Sequence, residues 1–146
     1  MLRQRNSRKQ GDVGLGAAIA HFSREGFTVC IPLTDSQDYD LVVDDGERLQ
    51  RVQVRTSRYR LSSGSYQVNL RVLGGNQSWN GVAKSFDPNR FELLFVLVDS
   101  GDEYLIPTDA IRSHQCVVVG PRWEQFRVGK APSATDGFRA VSGNGL

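Results

Sequence analysis

The sequence predicts a single α/β domain with one long helix followed by a sheet. Apolar residues near the N-terminus recur at helical spacing, whereas later segments are rich in β-branched residues and alternate between apolar and polar positions. Asp-Gly and Ser-Gly pairs, which are typical of hairpin turns, separate several of these later segments. The length of 146 residues fits one domain, and 39% hydrophobic residues suffice for a core.

The helix is predicted over residues 12–25, where apolar side chains return every three or four positions. Asp12 is a residue type that caps helix N-termini, and Gly26 is a typical C-terminal cap. Residues 1–10 are polar and basic without periodicity. They are therefore expected to form a basic flexible arm ahead of the domain.

Strands are predicted where β-branched and apolar residues lie between turn residues. Asp45 and Gly46 provide a tight turn between the second and third strands. Residues 62–65 look like another turn, from which a second hairpin grows out of the third strand, and Cys116 begins a further buried strand. The other predicted elements are strands over residues 27–33, 39–44, 49–56, 66–72, 93–99 and 103–106, and a short helix over residues 109–112 that Thr108 caps.

The C-terminal residues 129–146 are rich in glycine, serine and alanine, which predicts a flexible tail after a folded body of residues 11–128. The longest apolar runs, residues 93–98 and 116–119, are far shorter than the ~20 residues of a membrane-spanning helix. The chain also begins without the apolar stretch of a signal peptide, so we expect a cytoplasmic protein with no membrane partner. Two cysteines are too few for a disulfide scaffold.

Charge is segregated along the chain. Residues 35–47 contain six acids and no base, whereas residues 48–84 contain seven bases and no acid. Fifteen of the 18 basic residues are arginine, whose guanidinium can hold a phosphate through two hydrogen bonds. This pattern indicates binding to a polyanion, although a solvated basic face is the simpler interpretation of any single residue.

Two neighbouring strands carry residues suited to phosphodiester hydrolysis. Strand alternation predicts that Gln53 and Arg55 project from one face of the third strand and face Asp40 on the second. A carboxylate and a second oxygen ligand can hold Mg²⁺, and a nearby cation can stabilise the negative charge of the pentacoordinate transition state. The spacing alone also fits a turn-proximal acid and two solvent-facing strand residues.

Three stretches of the chain resemble the PD-(D/E)xK nucleases, specifically the group typified by the group I intron homing endonucleases. They are GDVGLGAAIAHFSREGFTVCIPLTDSQDYDLVVDDG (11–46), RVQVRTSRYR (51–60) and FELLFVLVDSGDEYLIPTDAI (91–111). The resemblance implies a restriction-endonuclease-like αβββαβ core with a central mixed sheet and an extended β-hairpin. It also implies an endonuclease that hydrolyses double-stranded DNA with Mg²⁺ or Mn²⁺ as the cofactor.

The resemblance assigns roles to individual residues. Asp40 matches the metal-binding Asp, Gln53 matches the second metal ligand, and Arg55 stands where the catalytic Lys is expected. Because arginine stays protonated, it can contribute charge and hydrogen bonds but cannot help to activate water by losing its proton. Many members also place a Glu on the first helix where this chain has Leu15. Asp40 is then the single charged metal ligand among the matched positions.

Contact with DNA is expected along the arginine-rich, acid-free segment over residues 55–81 and at its borders. A β-ribbon fits the major groove, where arginine reads guanine edges and phosphates, while Asn or Gln reads adenine. The predicted nucleic-acid-binding residues are Arg51, Arg58, Arg60, Arg71, Asn76, Gln77 and Lys84.

Two other functions fit the same sequence. The departures at Arg55 and Leu15 favour a catalytically inactive DNA-binding module derived from the same fold. Alternatively, the basic face binds RNA or an acidic protein. For the endonuclease, a homo-oligomer, either a dimer or a tetramer, is expected because one site cuts one strand.

Overall fold

The computed structural model describes residues 2, 6–73, 83–84 and 86–129. These residues form one α-helix, two 3₁₀ helices and ten strands. In chain order they are helix α1 (Ser7–Arg24), strands β1 (Thr28–Cys30), β2 (Leu41–Asp44), β3 (Leu49–Ser57), β4 (Tyr66–Asn69), β5 (Val72–Leu73), β6 (Ala83–Lys84), β7 (Leu93–Val98) and β8 (Glu103–Pro107), a 3₁₀ helix (Thr108–Ala110), strand β9 (Cys116–Val119), a second 3₁₀ helix (Pro121–Phe126) and strand β10 (Arg127–Gly129).

Six strands form a central mixed sheet in the order β1-β2-β3-β7-β8-β10. Neighbouring strands are antiparallel except β3 and β7, which run parallel with Val52 opposite Leu93. The predicted turn at Asp45 and Gly46 joins β2 to β3, and Gly46 has the positive φ of +94° that glycine adopts readily. The predicted α/β architecture with a central mixed sheet is confirmed.

The central sheet carries a hydrophobic core on each face. On one face, Ala18 and Phe22 of α1 pack against β2, β3 and β7. On the other face, Val68 of β4 and Val119 of β9 pack against β7 and β8. Strand β7 contributes to both cores and pairs with β3, which carries the two predicted catalytic residues Gln53 and Arg55.

The hairpin predicted to grow out of β3 takes a different form. Strand β4 pairs with β9 rather than with β3, and only an isolated bridge between Arg60 and Tyr66 closes the turn after β3. Strand β2 pairs with β3 only over Leu49–Val52, and β4 pairs along its whole length with β9, with Tyr66 opposite Val119. The predicted strand over residues 66–72 divides into β4 and β5, and β5 pairs with β6.

The connection between β3 and β7 also differs from the αβββαβ order that the resemblance implies. Parallel neighbours require a long crossover, which is usually a helix. Among the described residues between β3 and β7, strands β4, β5 and β6 are found and no α-helix. The crossover is therefore built from strands over that part of the chain.

Helix α1 begins five residues earlier than predicted, and its cap is Asn6 instead of Asp12. The Asn6 side chain accepts a hydrogen bond from the Arg8 backbone N–H at 2.9 Å, while Asp12 is an exposed residue in the helix. Polar residues before Asp12 lie on a solvated face and need no apolar periodicity, so the sequence pattern did not reveal them. The last four residues of the predicted flexible arm are thus helical.

Three element boundaries near the ends of the domain also change. Strand β1 stops at Cys30 rather than at residue 33, because Pro32 lacks the N–H that a continuing strand requires. The predicted short helix over residues 109–112 is a single 3₁₀ turn that starts at Thr108. Strand β10 was not predicted and pairs with β8, so the folded body extends to residue 129. The predicted tail beyond it lies outside the described residues.

Helix α1 packs tightly on β3 at Gly14. A Cβ atom at Gly14 would lie 2.5 Å from Thr56 Cγ2, whereas a Cβ at Gly16 would meet nothing within 4 Å. We therefore expect Gly14→Ala to lower the free energy of unfolding by about 1–3 kcal/mol, because it overpacks the interface. The matched change Gly16→Ala should raise it by about 0.5–1 kcal/mol, since alanine favours a helix. Urea unfolding of both variants checks this, and two shifts of the same sign would contradict the close approach.

Leu2 is part of the core below α1 although it stands almost at the N-terminus. Its exposed fraction is 1%, and its backbone N–H donates to Asp99 Oδ1 at 3.0 Å. We expect Leu2→Ala to lower the free energy of unfolding by about 2 kcal/mol or more. Leu33, which is 103% exposed, offers a matched control, and Leu33→Ala should leave stability unchanged. Equal effects of the two substitutions in thermal unfolding would show that Leu2 is not a core residue.

Candidate active site

Asp40 lies immediately before β2 and is fixed to β3 by its backbone and its side chain. Its backbone N–H donates to the Val52 carbonyl at 2.9 Å. Its Oδ2 atom accepts hydrogen bonds from the Val54 backbone N–H at 2.7 Å and from Gln53 Nε2 at 3.1 Å. The carboxylate is therefore held against the middle of β3 before any ligand binds.

Gln53 is buried, with 6% of its surface exposed. It pairs in register with Leu94 of β7, so it faces the β4 and β9 side of the sheet, away from α1. Its Nε2 atom donates to Asp40, but its Oε1 atom is buried and has no hydrogen-bond partner among the described residues. An unsatisfied buried acceptor destabilises a fold by about 1–3 kcal/mol, so this oxygen suggests a missing cationic or donor partner.

Arg55 follows two residues later and projects from the same face as Gln53. Val52 and Val54 point to the opposite face, where they join the core below α1, so the predicted alternation along β3 is confirmed. The guanidinium Nη1 donates to the Val54 carbonyl at 3.4 Å. Burial lowers the pKa of Arg55 below its ordinary value, and the nearby charge of Asp40 partly opposes that shift. At this position the group still carries a positive charge.

Partial burial of Asp40 changes the pKa of its carboxyl group. Burial raises the pKa of Asp40, while the hydrogen bond from the Val54 N–H and the positive charge of Arg55 lower it in part. A desolvated carboxylate attracts a cation more strongly than an exposed one, because less water screens its charge. The site thus combines a partly buried anion, a buried unsatisfied oxygen and a fixed positive charge.

These residues fit a divalent metal ion with oxygen ligands. The Asp40 carboxylate, Gln53 Oε1 and the Val54 carbonyl are the donor types that Mg²⁺ prefers, with water completing its shell. Within the described part of the chain, no group of three or more His, Cys, Asp or Glu residues could hold a metal. A metal here would have one charged protein ligand, so its affinity should be weak without a further anionic ligand.

Two ion pairs beside the site were not found by sequence reasoning. Arg51 makes a bidentate contact with Glu92, at 2.7 Å between Nη2 and Oε1, and Glu92 also accepts from the Arg51 backbone N–H. Asp38, two residues before Asp40, pairs with Arg90 at 3.0 Å. The partners are separated by 41 and 52 positions in sequence (92 − 51 and 90 − 38), so no local pattern could signal them.

The predicted DNA-contacting residues have several different environments. Arg60 and Arg71 are exposed, and Arg58 lies 3.9 Å from Asp99. The charge of Arg51 is neutralised by Glu92. The remaining predicted contacts cannot be placed, since Asn76 and Gln77 lie outside the described residues and the side chain of Lys84 is not described.

Comparison with known proteins identifies the family. A model of the PD-(D/E)XK endonuclease family matches residues 5–137, which is most of the chain. The chain belongs to the PD-(D/E)XK endonuclease family. Its fold is also similar to that of a bacterial homing endonuclease, I-Ssp6803I, with a TM-score of 0.70 and 28% sequence identity over 84% of this chain and 88% of that one. No match was found among curated proteins.

Two residues stand where the resemblance in sequence leads us to expect other residue types. Arg55 lies in the expected lysine position on β3, beside Asp40 and Gln53. Leu15 of α1 is partly buried and packs against the core on the α1 face, so it offers no metal ligand. None of the described helices is both long and apolar enough to cross a membrane.

Proposed function

We propose that this PD-(D/E)XK family member is a metal-dependent DNA endonuclease whose Asp40 and Gln53 hold Mg²⁺ or Mn²⁺. The observation that carries the proposal is the buried Gln53 Oε1, which has no partner among the described residues and belongs to the side chain that donates to Asp40. A divalent cation would satisfy this oxygen and neutralise the partly buried carboxylate of Asp40. The family match and the similarity to a homing endonuclease make a phosphodiester in DNA the natural substrate.

Asp40, Gln53 and Arg55 would have different roles in hydrolysis. When bound, the metal would act as a Lewis acid on the scissile phosphate. Asp40 and Gln53 would position it, because their own hydrogen bonds to β3 and to each other fix them in place. Arg55 would supply a fixed positive charge to stabilise the extra negative charge of the transition state. Since arginine does not release its proton, it would not act as the base for water.

DNA would lie along the basic segment that follows β3. We place Arg58, Arg60 and Arg71 on this surface, together with Asn76, Gln77 and Lys84 in the segment that continues it. Arg51 would contribute less than the others, because Glu92 already neutralises its charge. We further propose that the protein is a homo-oligomer, a dimer or a tetramer, because cutting both strands requires two sites. We also propose that it works in the cytoplasm.

Binding to duplex DNA should depend strongly on salt. Contact with four to six phosphates predicts a slope of log K against log salt of about −4 to −5, at ~0.9 per phosphate. Fluorescence anisotropy with a labelled duplex in EDTA measures this slope separately from cleavage. A slope near zero, or no binding at low salt, would contradict a nucleic-acid function.

Cleavage assays with varied metals test the proposed function itself. Supercoiled plasmid and a library of linear duplexes are incubated with Mg²⁺, with Mn²⁺ or with EDTA, and the products are resolved on a gel. Nicks or breaks that need a divalent metal would support the endonuclease. Absence of cleavage in every condition, with intact DNA binding, would favour the second candidate, a catalytically inactive DNA-binding module. Arg55 and Leu15 are the observations that favour that candidate.

A further inference from the structure

A cleft of about 570 Å³ lies at the end of the β4 and β9 sheet, among residues that the proposed catalytic site does not use. Its walls come from the turn before β4, from the segment after the first 3₁₀ helix, from β9 and from the second 3₁₀ helix. The lining residues that matter here are Ser63, Ser65, Arg112, Ser113, Arg122 and Trp123.

The polar groups of this cleft suit an anion. Arg112 and Arg122 are exposed, and neither forms an ion pair with a carboxylate of the described residues. Among the described residues, the lining contains no Asp or Glu. The Ser113 hydroxyl oxygen accepts from the Gln115 backbone N–H at 3.2 Å, and the Ser63 oxygen accepts from the Ser65 N–H at 3.4 Å. Each hydroxyl can therefore direct its hydrogen to a ligand.

The remaining wall of the cleft is apolar. Trp123 packs against the core and against Phe126, with 5.5 Å between the ring centroids, and it also borders the cleft. Val118 and Pro121 line the same cleft, and 39% of Val118 is exposed. A free phosphate ion would leave this apolar surface uncovered, whereas a nucleotide has a flat apolar face beside its phosphate.

We propose that the cleft binds an unpaired DNA strand, with Arg112 and Arg122 on its phosphates and a base or sugar against the apolar wall. The proposal rests on the proposed DNA function and adds a second binding site to it. The cleft continues the basic surface, because the turn that supplies Ser63 and Ser65 also carries Arg60, whose Nε donates to the Gly64 carbonyl at 3.4 Å. Bases inside a duplex are stacked and cannot present their faces to a recessed wall, which favours an unpaired strand.

A charge-matched pair of double variants tests the proposal. Arg112→Gln with Arg122→Gln removes the two cleft arginines, and Arg8→Gln with Arg24→Gln removes two exposed arginines of α1. Affinity for oligothymidylate and for a duplex is measured in EDTA over a salt series. The cleft variant should bind oligothymidylate about tenfold more weakly with a salt slope shallower by about 1.4, at ~0.7 per phosphate. Its duplex affinity should follow that of the control variant.

Tryptophan fluorescence provides a second, independent measurement. In a Trp79→Phe background, Trp123 is the single tryptophan, and oligothymidylate should quench its emission unless the cleft arginines are replaced. Equal losses of affinity for the duplex and for oligothymidylate in the cleft variant would overturn the proposal in favour of a contact with the duplex backbone. The proposal would also be overturned if the cleft variant bound oligothymidylate as tightly as the control variant, or if oligothymidylate did not quench Trp123 emission. Because these readouts contain no metal, they separate failure of the cleft proposal from failure of the endonuclease proposal.

Discussion

Asp40→Asn is expected to abolish metal-dependent cleavage and to leave DNA binding intact or tighter. The substitution removes the single charged ligand of the proposed metal site, while the asparagine oxygen can still accept the hydrogen bond from the Val54 N–H. Losing a Lewis acid removes several kcal/mol of transition-state stabilisation, which corresponds to a rate lower by roughly 10³ or more. Binding should not weaken, because the change also removes a repulsion between the carboxylate and DNA phosphate.

Asp38→Asn is the matched control for this prediction. Asp38 stands two residues before Asp40 but pairs with Arg90, so its loss should leave the cleavage rate close to that of the parent. Single-turnover cleavage and gel shift are measured on the same preparations of all three proteins. Equal cleavage by Asp40→Asn and the parent would remove Asp40 from the site, and an equal loss in both variants would point to a general effect of charge.

Arg55→Lys is expected to raise a weak parental cleavage rate by about 10²-fold, the lower end of what a positioned base contributes. Arg55 is partly buried, and burial lowers the pKa of the cation at this position. The same environment would lower the pKa of a lysine, which unlike arginine can then release a proton and help to activate water. Leu15, which stands where the resemblance leads us to expect a Glu, also favours weak parental activity.

Arg55→Ala tests whether the positive charge of this residue contributes to catalysis, independently of proton transfer. If the guanidinium stabilises the transition state, its removal should lower the rate by about 10²–10³. The three proteins are compared in single-turnover cleavage with circular dichroism and DNA binding as controls. One common rate for all three would leave Arg55 without a catalytic role. Failure of all three to cut, with folding and binding intact, would make the inactive DNA-binding module the better account.

Local sequence patterns predicted that Asp40, Gln53 and Arg55 lie together in the candidate site. The period of two along β3 put Gln53 and Arg55 on one face and the two valines on the other, and the Asp45 and Gly46 turn brought Asp40 beside them. Both signals act over a few residues, so one sequence contains them. The buried state of Gln53 was not predictable in this way, because it depends on the layer formed by β4 and β9.

Interactions between distant segments account for what the sequence did not predict. A strand-like pattern does not identify the strand's partner, so β4 was predicted to pair with the preceding strand β3, whereas it pairs with β9, which comes much later in the chain. Arg51 was predicted to contact DNA because its local surroundings lack acids, yet Glu92 reaches it across the fold. Arg112 and Arg122 were not predicted to bind DNA, because they lie outside the acid-free segment. Only the fold brings both of them to the lining of one cleft.

The most direct test of the central claim is the anomalous scattering of Mn²⁺ in crystals of the protein with duplex DNA. The account predicts a peak within coordination distance of the Asp40 carboxylate and Gln53 Oε1, at roughly 2.0–2.3 Å as for other oxygen ligands of divalent metals. The same crystals of Asp40→Asn should lose that peak and retain the DNA. A manganese ion bound elsewhere in the parent, or DNA bound with Gln53 Oε1 accepting from another protein group and no metal beside Asp40, would contradict the account.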